Sequence, residues 1–211
     1  YGKNEMWYVV DSEPGSYLYC GLSRDASKEE ILERINNNTI TDILNKIEVK
    51  AGDVVMVKAG TIHAIGAGVF ICEIQQNSNC TYRMYDYDRR DKFGNPRELH
   101  VKKALDVVDN HKYIKDNKTE VVIARNEHFT EERLVQCKYF EVYKYDVNDE
   151  AKITVDEASF VSLLFINGSG TIETDDYEKT MEFKAGDSFF VSAGLRSIIV
   201  KGRATMVVTR V

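Results

Sequence analysis

Several things are scarce or missing in this chain, and each absence narrows what it can be. No apolar run approaches the roughly 18–20 residues a membrane helix needs, so no membrane partner is expected. The four cysteines, Cys20, Cys72, Cys80 and Cys137, form no C-x-x-C pair, and Cys72 lies in an apolar strand pattern. That favours a reduced, cytoplasmic setting over a disulfide scaffold. Positive charge is in deficit: Lys and Arg number 28 against 34 Asp and Glu, a formal net charge of −6. A general nucleic-acid binder, or a binder of acidic membranes, is therefore not expected. Histidine is rare, with four in the chain and none after His128. An initial methionine is lacking too: Gly2-Lys3-Asn4-Glu5 runs at once into a strand pattern, so N-terminal strands are expected to be missing, and any signal peptide with them.

What remains is ordinary soluble material. Of the 211 residues, 43% are hydrophobic and 29% charged, enough for two small domains or one large one.

The most informative stretch runs from Ala51 to Ile65. Gly52 and Gly60 bracket the β-branched run at Val54, Val55 and Val57, and a second short strand then carries His63. Thr61, His63 and Ile65 share a face in that strand, so Ile65 would give the histidine a partly apolar setting. A second copy, Ala185 to Ile199, begins 185 − 51 = 134 residues later and matches at seven of fifteen positions without a gap. A repeat so long denotes two modules in tandem rather than a solenoid. The copy has Ser197 where the first has His63, so one module alone keeps that potential ligand.

Alternation elsewhere marks further strands. Glu5, Trp7 and Val9 share a face, and Glu5 reads either as a solvated strand-end carboxylate or as a metal ligand, since a buried carboxylate needs a cation or donors. Val69, Ile71, Glu73 and Gln75 share another face. Glu73 there is either salt-bridged or a buried group with a raised pKa suited to proton transfer. Thr81 to Arg89 reads as an extended strand with Arg83, Tyr85, Tyr87 and Arg89 on one side. The two arginines could grip an anion, or could answer Asp86, Asp88 and Asp91 as a surface charge ladder.

Helical signals are few. Ser27 to Glu30 forms a capping box before Ile31, Leu32 and Ile35, and Thr41 to Ile47 reads as a second short helix with Ile43, Leu44 and Ile47 inward. Arg97 to Val108 reads as a helix burying Leu99, Ala104, Leu105 and Val108, with His100 in a structural role. A polar stretch near 109–119 is the expected boundary. Beyond it short strands separated by glycine and charged turns suggest a sandwich or barrel, expected over 120–124, 140–147, 152–155, 160–166, 170–173, 181–183, 188–191, 197–200 and 204–211. That module carries no clustered ligand set and reads as scaffold.

Gly52-x5-Lys58-x-Gly60-x2-His63 resembles the second cupin motif, with lysine where proline is usual, and Gly186-x5-Ser192-x-Gly194-x2-Ser197 resembles a degenerate, metal-free version. The run GTIHAIGAGVFICEIQQNSNCTYRMYDYDR, followed by RELHVKKALDVV, is similar to the short bacterial type I mannose-6-phosphate isomerases. The resemblance implies a mainly β fold of tandem cupin modules (double-stranded β-helix or jelly roll) with a small helical insertion. The catalytic module is expected over 1–109, with an insertion at about 25–47 and a helix at about 97–108; the degenerate module is expected over 118–211. It implies a zinc-dependent aldose–ketose isomerase interconverting mannose 6-phosphate and fructose 6-phosphate through a metal-stabilised cis-enediolate. A non-catalytic sugar-phosphate-binding cupin is the alternative. By position Glu5 and His63 match zinc ligands, the remaining ligands being expected upstream of Tyr1. Arg83 matches a catalytic arginine and Glu73 a proton shuttle, while Lys3 and Arg89 match positive groups near the substrate. A cupin dioxygenase is disfavoured because such sites gather several histidines close together, and the four here are spread across the chain.

Overall fold

The computed structural model describes residues 2–115, 121–174 and 177–211, with backbone alone at 177–179. The chain divides into two compact units, Tyr1–Lys115 and Asp116–Val211, both dominated by antiparallel sheet.

The first unit contains β1 (Glu5–Ser12), β2 (Tyr17–Leu22), α1 (Lys28–Asn36), a 3₁₀ turn (Ile40–Ile43), β3 (Leu44–Glu48), β4 (Val54–Val57), β5 (His63–Ile65), β6 (Val69–Gln75) and α2 (Val101–Val107). Its strands make two three-stranded sheets, ordered β4-β1-β6 and β3-β2-β5. Alternation along β1 and β2 sends Trp7, Val9, Leu18 and Cys20 into one core with Val49, Val55 and Val57. Trp7 is 1% exposed and is among the largest fully buried side chains of the chain. A second cluster packs Ile31 and Ile35 of α1 and Ala104 of α2 with Leu22, Ile40, Ile43, Leu44 and Met84.

Three helical expectations are corrected here. Ser27 caps α1 by accepting from the Glu30 N–H at 3.1 Å, but the Glu30 carboxylate does not reach back; Arg24 and Arg34 take it. Leu32 faces outward at 39% exposure, because Ile31 and Ile35, one turn apart, already fill the inward face. The segment 41–47 is only half helical. After the 3₁₀ turn it becomes β3, since Leu18 pairs with Ile47 and Tyr19 with Lys46 in the sheet.

The second unit contains β7 (Val121–Arg125), β8 (Phe129–Gln136), β9 (Glu141–Val147), β10 (Glu150–Val155), β11 (Val161–Thr174), β12 (Tyr177–Lys184), β13 (Ser188–Val191) and β14 (Arg196–Arg210). The main sheet runs β12-β11-β14-β9-β8-β7, with β10 on β14 and β13 on β11. Two pairs of short strands expected from the sequence are single long ones, β11 and β14, each serving both layers of the barrel, and β8 was not expected at all. The expected boundary and the 120–124 strand fall partly outside the described residues. Phe165, Phe183 and Phe189 anchor the core, the first two stacked at 3.7 Å between ring centroids.

The repeat seen in the sequence is a repeat in three dimensions. Gly52 (φ 92°) and Gly186 (φ 91°) occupy the same left-handed position, a conformation that costs a residue with a Cβ. Gly52 N–H donates to the Val9 carbonyl and Gly186 N–H to that of Phe165, both at 2.8 Å. Asp53 and Asp187 each accept the backbone N–H of the residue three before, Lys50 and Lys184, at 2.9 Å. β4 pairs with β1 so that Val57 faces Glu5, and β13 pairs with β11 so that Val191 faces Val161. Glu5 therefore corresponds to Val161, and Trp7 to Leu163.

Candidate functional site

Four of the six residues singled out from the sequence come together at the start of β1. Glu5 is 2% exposed, and its carboxylate meets Lys3 Nζ at 3.0 Å. His63 Nε2 lies 3.9 Å from the other Glu5 oxygen. Glu73 stands across the sheet from Trp7, accepts from Trp7 Nε1 at 3.0 Å, and shares a hydrogen bond with Glu5. Lys3 Nζ also donates to Gln75 Oε1, so β6 and the segment before β1 are tied by the same cation. Asn4 adds a second tie, its N–H and Nδ2 both donating to Gln76 Oε1 at 2.9 Å.

The histidine is held so that one ring nitrogen is free to work. Its Nδ1 lies 2.8 Å from the Thr61 carbonyl, which can only accept, so that nitrogen carries the hydrogen. Nε2 faces Glu5. Trp7 packs edge-on against the imidazole at 5.3 Å and supplies its apolar neighbour. That role was expected of Ile65, which is instead 47% exposed.

Of the two readings open for Glu73, a buried group with a raised pKa is not the one the structure shows. Glu73 is exposed, and its pKa is lowered, first by the hydrogen bond from Glu5 and further by that from Trp7. Glu5 is the group whose pKa is raised, chiefly by burial and then by its bond to Glu73. The reason is geometric: Glu5 alternates with Trp7 and Val9 into the core, whereas Glu73 lies on β6, where exposed and half-buried residues alternate.

Arg83 and Arg89 are held differently. Residues 81–89 do not form a strand. Tyr87 (φ 55°) and Asp88 (φ 50°) are left-handed and turn the chain, so the two arginines do not share a strand face. Arg83 Nη1 donates to the Glu98 carbonyl at 3.3 Å, and its backbone N–H and carbonyl bond His100 Nδ1 and N. Arg89 Nη2 reaches Asp86 at 2.6 Å. Because residues 97–100 are committed to these bonds, the expected helix shortens to α2, with His100 as its N-cap and Leu99 43% exposed. Sequence reasoning overlooked Arg97, which grips Asp86 through Nε at 2.7 Å and through Nη2.

Whether zinc fits is a question of donors. An imidazole nitrogen and a carboxylate oxygen on one tetrahedral zinc, each at about 2.0–2.1 Å, stand roughly 3.4 Å apart. The 3.9 Å between His63 Nε2 and Glu5 exceeds that by about half an ångström, and the Thr61 carbonyl behind Nδ1 is the orienting partner such a ligand needs. The pair fits as part of a ligand set; among the described residues no group of three or more His, Cys, Asp or Glu is arranged to hold a metal. No helix among them is long and apolar enough to cross a membrane.

Known proteins resemble this chain in sequence and fold. Residues 130–211 match the family model of the mannose-6-phosphate isomerase cupin domain. YvyI of Bacillus subtilis (strain 168), whose own assignment as a mannose-6-phosphate isomerase is provisional, is 39% identical over 215 residues, covering 100% of this chain and 65% of that protein. The crystal structure of the Bacillus subtilis mannose 6-phosphate isomerase superposes with a TM-score of 0.89 at 36% identity, over 100% of this chain and 65% of that one. A zinc-bound mannose 6-phosphate isomerase shares the fold at a TM-score of 0.69 and 13% identity, over 98% of this chain and 65% of its own. The chain thus spans slightly less than two thirds of the length of these proteins, and it is similar to the mannose-6-phosphate isomerases in sequence and shares their cupin fold.

Proposed function

We propose that this chain carries the catalytic cupin of an isomerase that interconverts mannose 6-phosphate and fructose 6-phosphate. The observation that supports it best is the convergence of Lys3, Glu5, His63 and Glu73 at one end of the first barrel. The chemical obstacle is a weakly acidic proton beside a carbonyl, which must leave C2 and arrive at C1. Glu73 suits the part of proton carrier, because its lowered pKa keeps it ionised at neutral pH, it is open to solvent, and Trp7 Nε1 fixes its direction. Lys3, half-buried between Glu5 and Gln75, is a fixed positive charge at the same end, placed to oppose negative charge developing on the sugar oxygens. Arg83 is assigned the same electrostatic role by its position in the motif. Trp7 closes the floor and keeps water from the inner side.

Glu5 and His63 would hold zinc, whose contribution when bound is Lewis-acid polarisation of the sugar's carbonyl and hydroxyl oxygens. Two donors retain zinc poorly compared with three or four, so these 211 residues alone are expected to bind it weakly. A coupled isomerase assay tests the reading, run on the protein as the cell makes it and with zinc in excess. Glu73→Gln should lower kcat about 10²–10⁴-fold with a smaller change in KM. Retention of turnover by Glu73→Gln, or sugar-phosphate binding with no isomerisation in the unmodified protein, would replace the enzyme with a binding cupin.

A further inference from the structure

The second module has a hollow beside the positions where the first has its candidate site. Val191 pairs with Val161, the counterpart of Glu5, while Leu195 and Ile198 flank Ser197, the counterpart of His63. All three line a cavity of about 280 Å³. Its floor is made by Ile172, Val191 and Ile198, which are buried members of the unit's hydrophobic core. Phe189 forms a wall, its ring edge-on to Phe165 at 5.8 Å. Met181 and Phe190, 42% and 71% exposed, stand at the rim, and the Phe190 ring stacks there on Phe160 at 4.8 Å.

Size and lining together define what fits. Protein interiors pack about as densely as organic crystals and hold few voids larger than a water molecule, so a hollow of this size is not a packing accident. An apolar cavity of about 150 Å³ already takes up benzene, so 280 Å³ admits one ring with a small substituent. A helix, about 10–12 Å across, is too large for it. None of the described residues that line the cavity is charged, and its polar side chains are Thr174 and Ser192. A phosphate or carboxylate entering it would lose hydration with no cation in the lining to answer it.

We propose that this end of the second barrel binds a small neutral molecule built on an aromatic ring, with one hydroxyl or similar group that reaches Thr174 or Ser192. The rings of Phe189 and Phe190 and the thioether of Met181 favour an aromatic occupant over an alkyl one. The module read as scaffold thereby has a ligand of its own, opposite in character to an anionic sugar. The inference is independent of the isomerase reading, since none of Lys3, Glu5, His63 and Glu73 enters it.

The test is titration of the 211-residue chain with benzyl alcohol, followed by methyl resonances. Saturable shifts should appear at Ile172, Met181, Leu195 and Ile198, and not at Ile31 or Ile35 of the first unit. Benzoate, the same ring with a negative charge, should bind about tenfold more weakly or less, and fructose 6-phosphate should not compete. Leu195→Trp, which fills the cavity, and Met181→Glu, which sets a charge at its rim, should each weaken benzyl alcohol about tenfold or more. Val122→Thr, an exposed change outside the lining, should alter it by less than about twofold. Amide spectra establish that each variant is folded; should Leu195→Trp unfold, the exposed Met181→Glu carries the test. Absence of saturable shifts, equal binding of benzoate, or unchanged affinity in the folded variants would overturn the proposal. So would a concentration-dependent dimer that Met181→Glu dissociates, because a second copy would then occupy the hollow.

Discussion

The two modules are built on one plan and differ where chemistry would occur. In the first barrel the pairing Trp7 with Glu73 and Glu5 with Gln75 sets polar groups along one end. In the second, Leu163 pairs with Val208 and Val161 with Arg210, while Ser197 takes the place of His63 and is 3% exposed. A carboxylate, an imidazole and a second carboxylate have become valine, serine and valine. The surrounding turn, with its glycine and its aspartate lock, is the same in both. The edges differ as well. β14 carries β9 and β10 in addition to β11, whereas β5 and β6 each have one partner strand among the described residues, β2 and β1. His63 thus sits on a strand whose second side is open, and its counterpart Ser197 lies opposite Thr154 of β10. Scaffold residues and candidate site residues are therefore separable in this fold: the first kind set the turns and are common to both modules, the second kind differ between them.

The sharpest way to break that comparison is to make the first module resemble the second. Glu5→Val with His63→Ser should lower isomerase turnover of the natural protein about a thousandfold or more. Its stability should be unchanged or higher, because a buried carboxylate has been replaced by an apolar group. An active double variant, or one that fails to fold, would contradict the separation.

Next in size are the cores. Trp7→Ala and Phe165→Ala should each cost about 3–5 kcal/mol by urea unfolding, each registered by amides of its own unit. Equal loss of signal throughout the chain from either variant would mean that the units do not unfold separately.

The glycine turns sharpen the comparison further. A Cβ at Gly60 would meet the Val107 carbonyl at 2.7 Å in addition to adopting φ 88°, while at Gly194 (φ 81°) nothing lies within 4 Å. Gly194→Ala should cost about 1 kcal/mol and Gly60→Ala clearly more, by thermal or urea denaturation.

The smallest expected effect concerns pH. Asp86 is pulled down to about 2, by Arg97 first and Arg89 after it. A carboxyl group with a depressed folded pKa stabilises above its ordinary value, near 3.9, and loses that stabilisation as pH falls toward about 2. Melting temperature should therefore drop between pH 4 and 2 less steeply in Asp86→Asn than in the unmodified chain; identical slopes would remove the Asp86 pairs with Arg97 and Arg89 from the account of acid stability.

The turn and its copy were readable because their causes are local: a left-handed backbone selects glycine, and an aspartate locks the N–H three residues back. Strand β1 was readable for the same kind of reason, through the alternation of Trp7 and Val9. What escaped the sequence depends on distant partners. Glu30 chose Arg24 and Arg34 over its own cap, and the burial of Glu5 relative to Glu73 follows from β1 lying at the centre of its sheet and β6 at the edge. β8 was missed because Glu131, Glu132 and Arg133 interrupt its apolar pattern, and only pairing with Tyr145, Lys144 and Tyr143 reveals it. The alternating Arg and Tyr residues of 81–89 imitate a strand, yet the backbone turns at Tyr87 and Asp88. Of the site, the membership of Glu5, His63, Glu73 and Lys3 was legible through the motif. The protonation order of the carboxylates and the part played by Arg97 were not.

The most direct test follows the imidazole of His63 by NMR while zinc is added to the chain. Its ring resonances should shift toward saturation at one ion, with weak affinity, and the shift should vanish in Glu5→Val. A His63 ring indifferent to zinc, or one that responds equally without Glu5, would show that the two side chains do not share a metal.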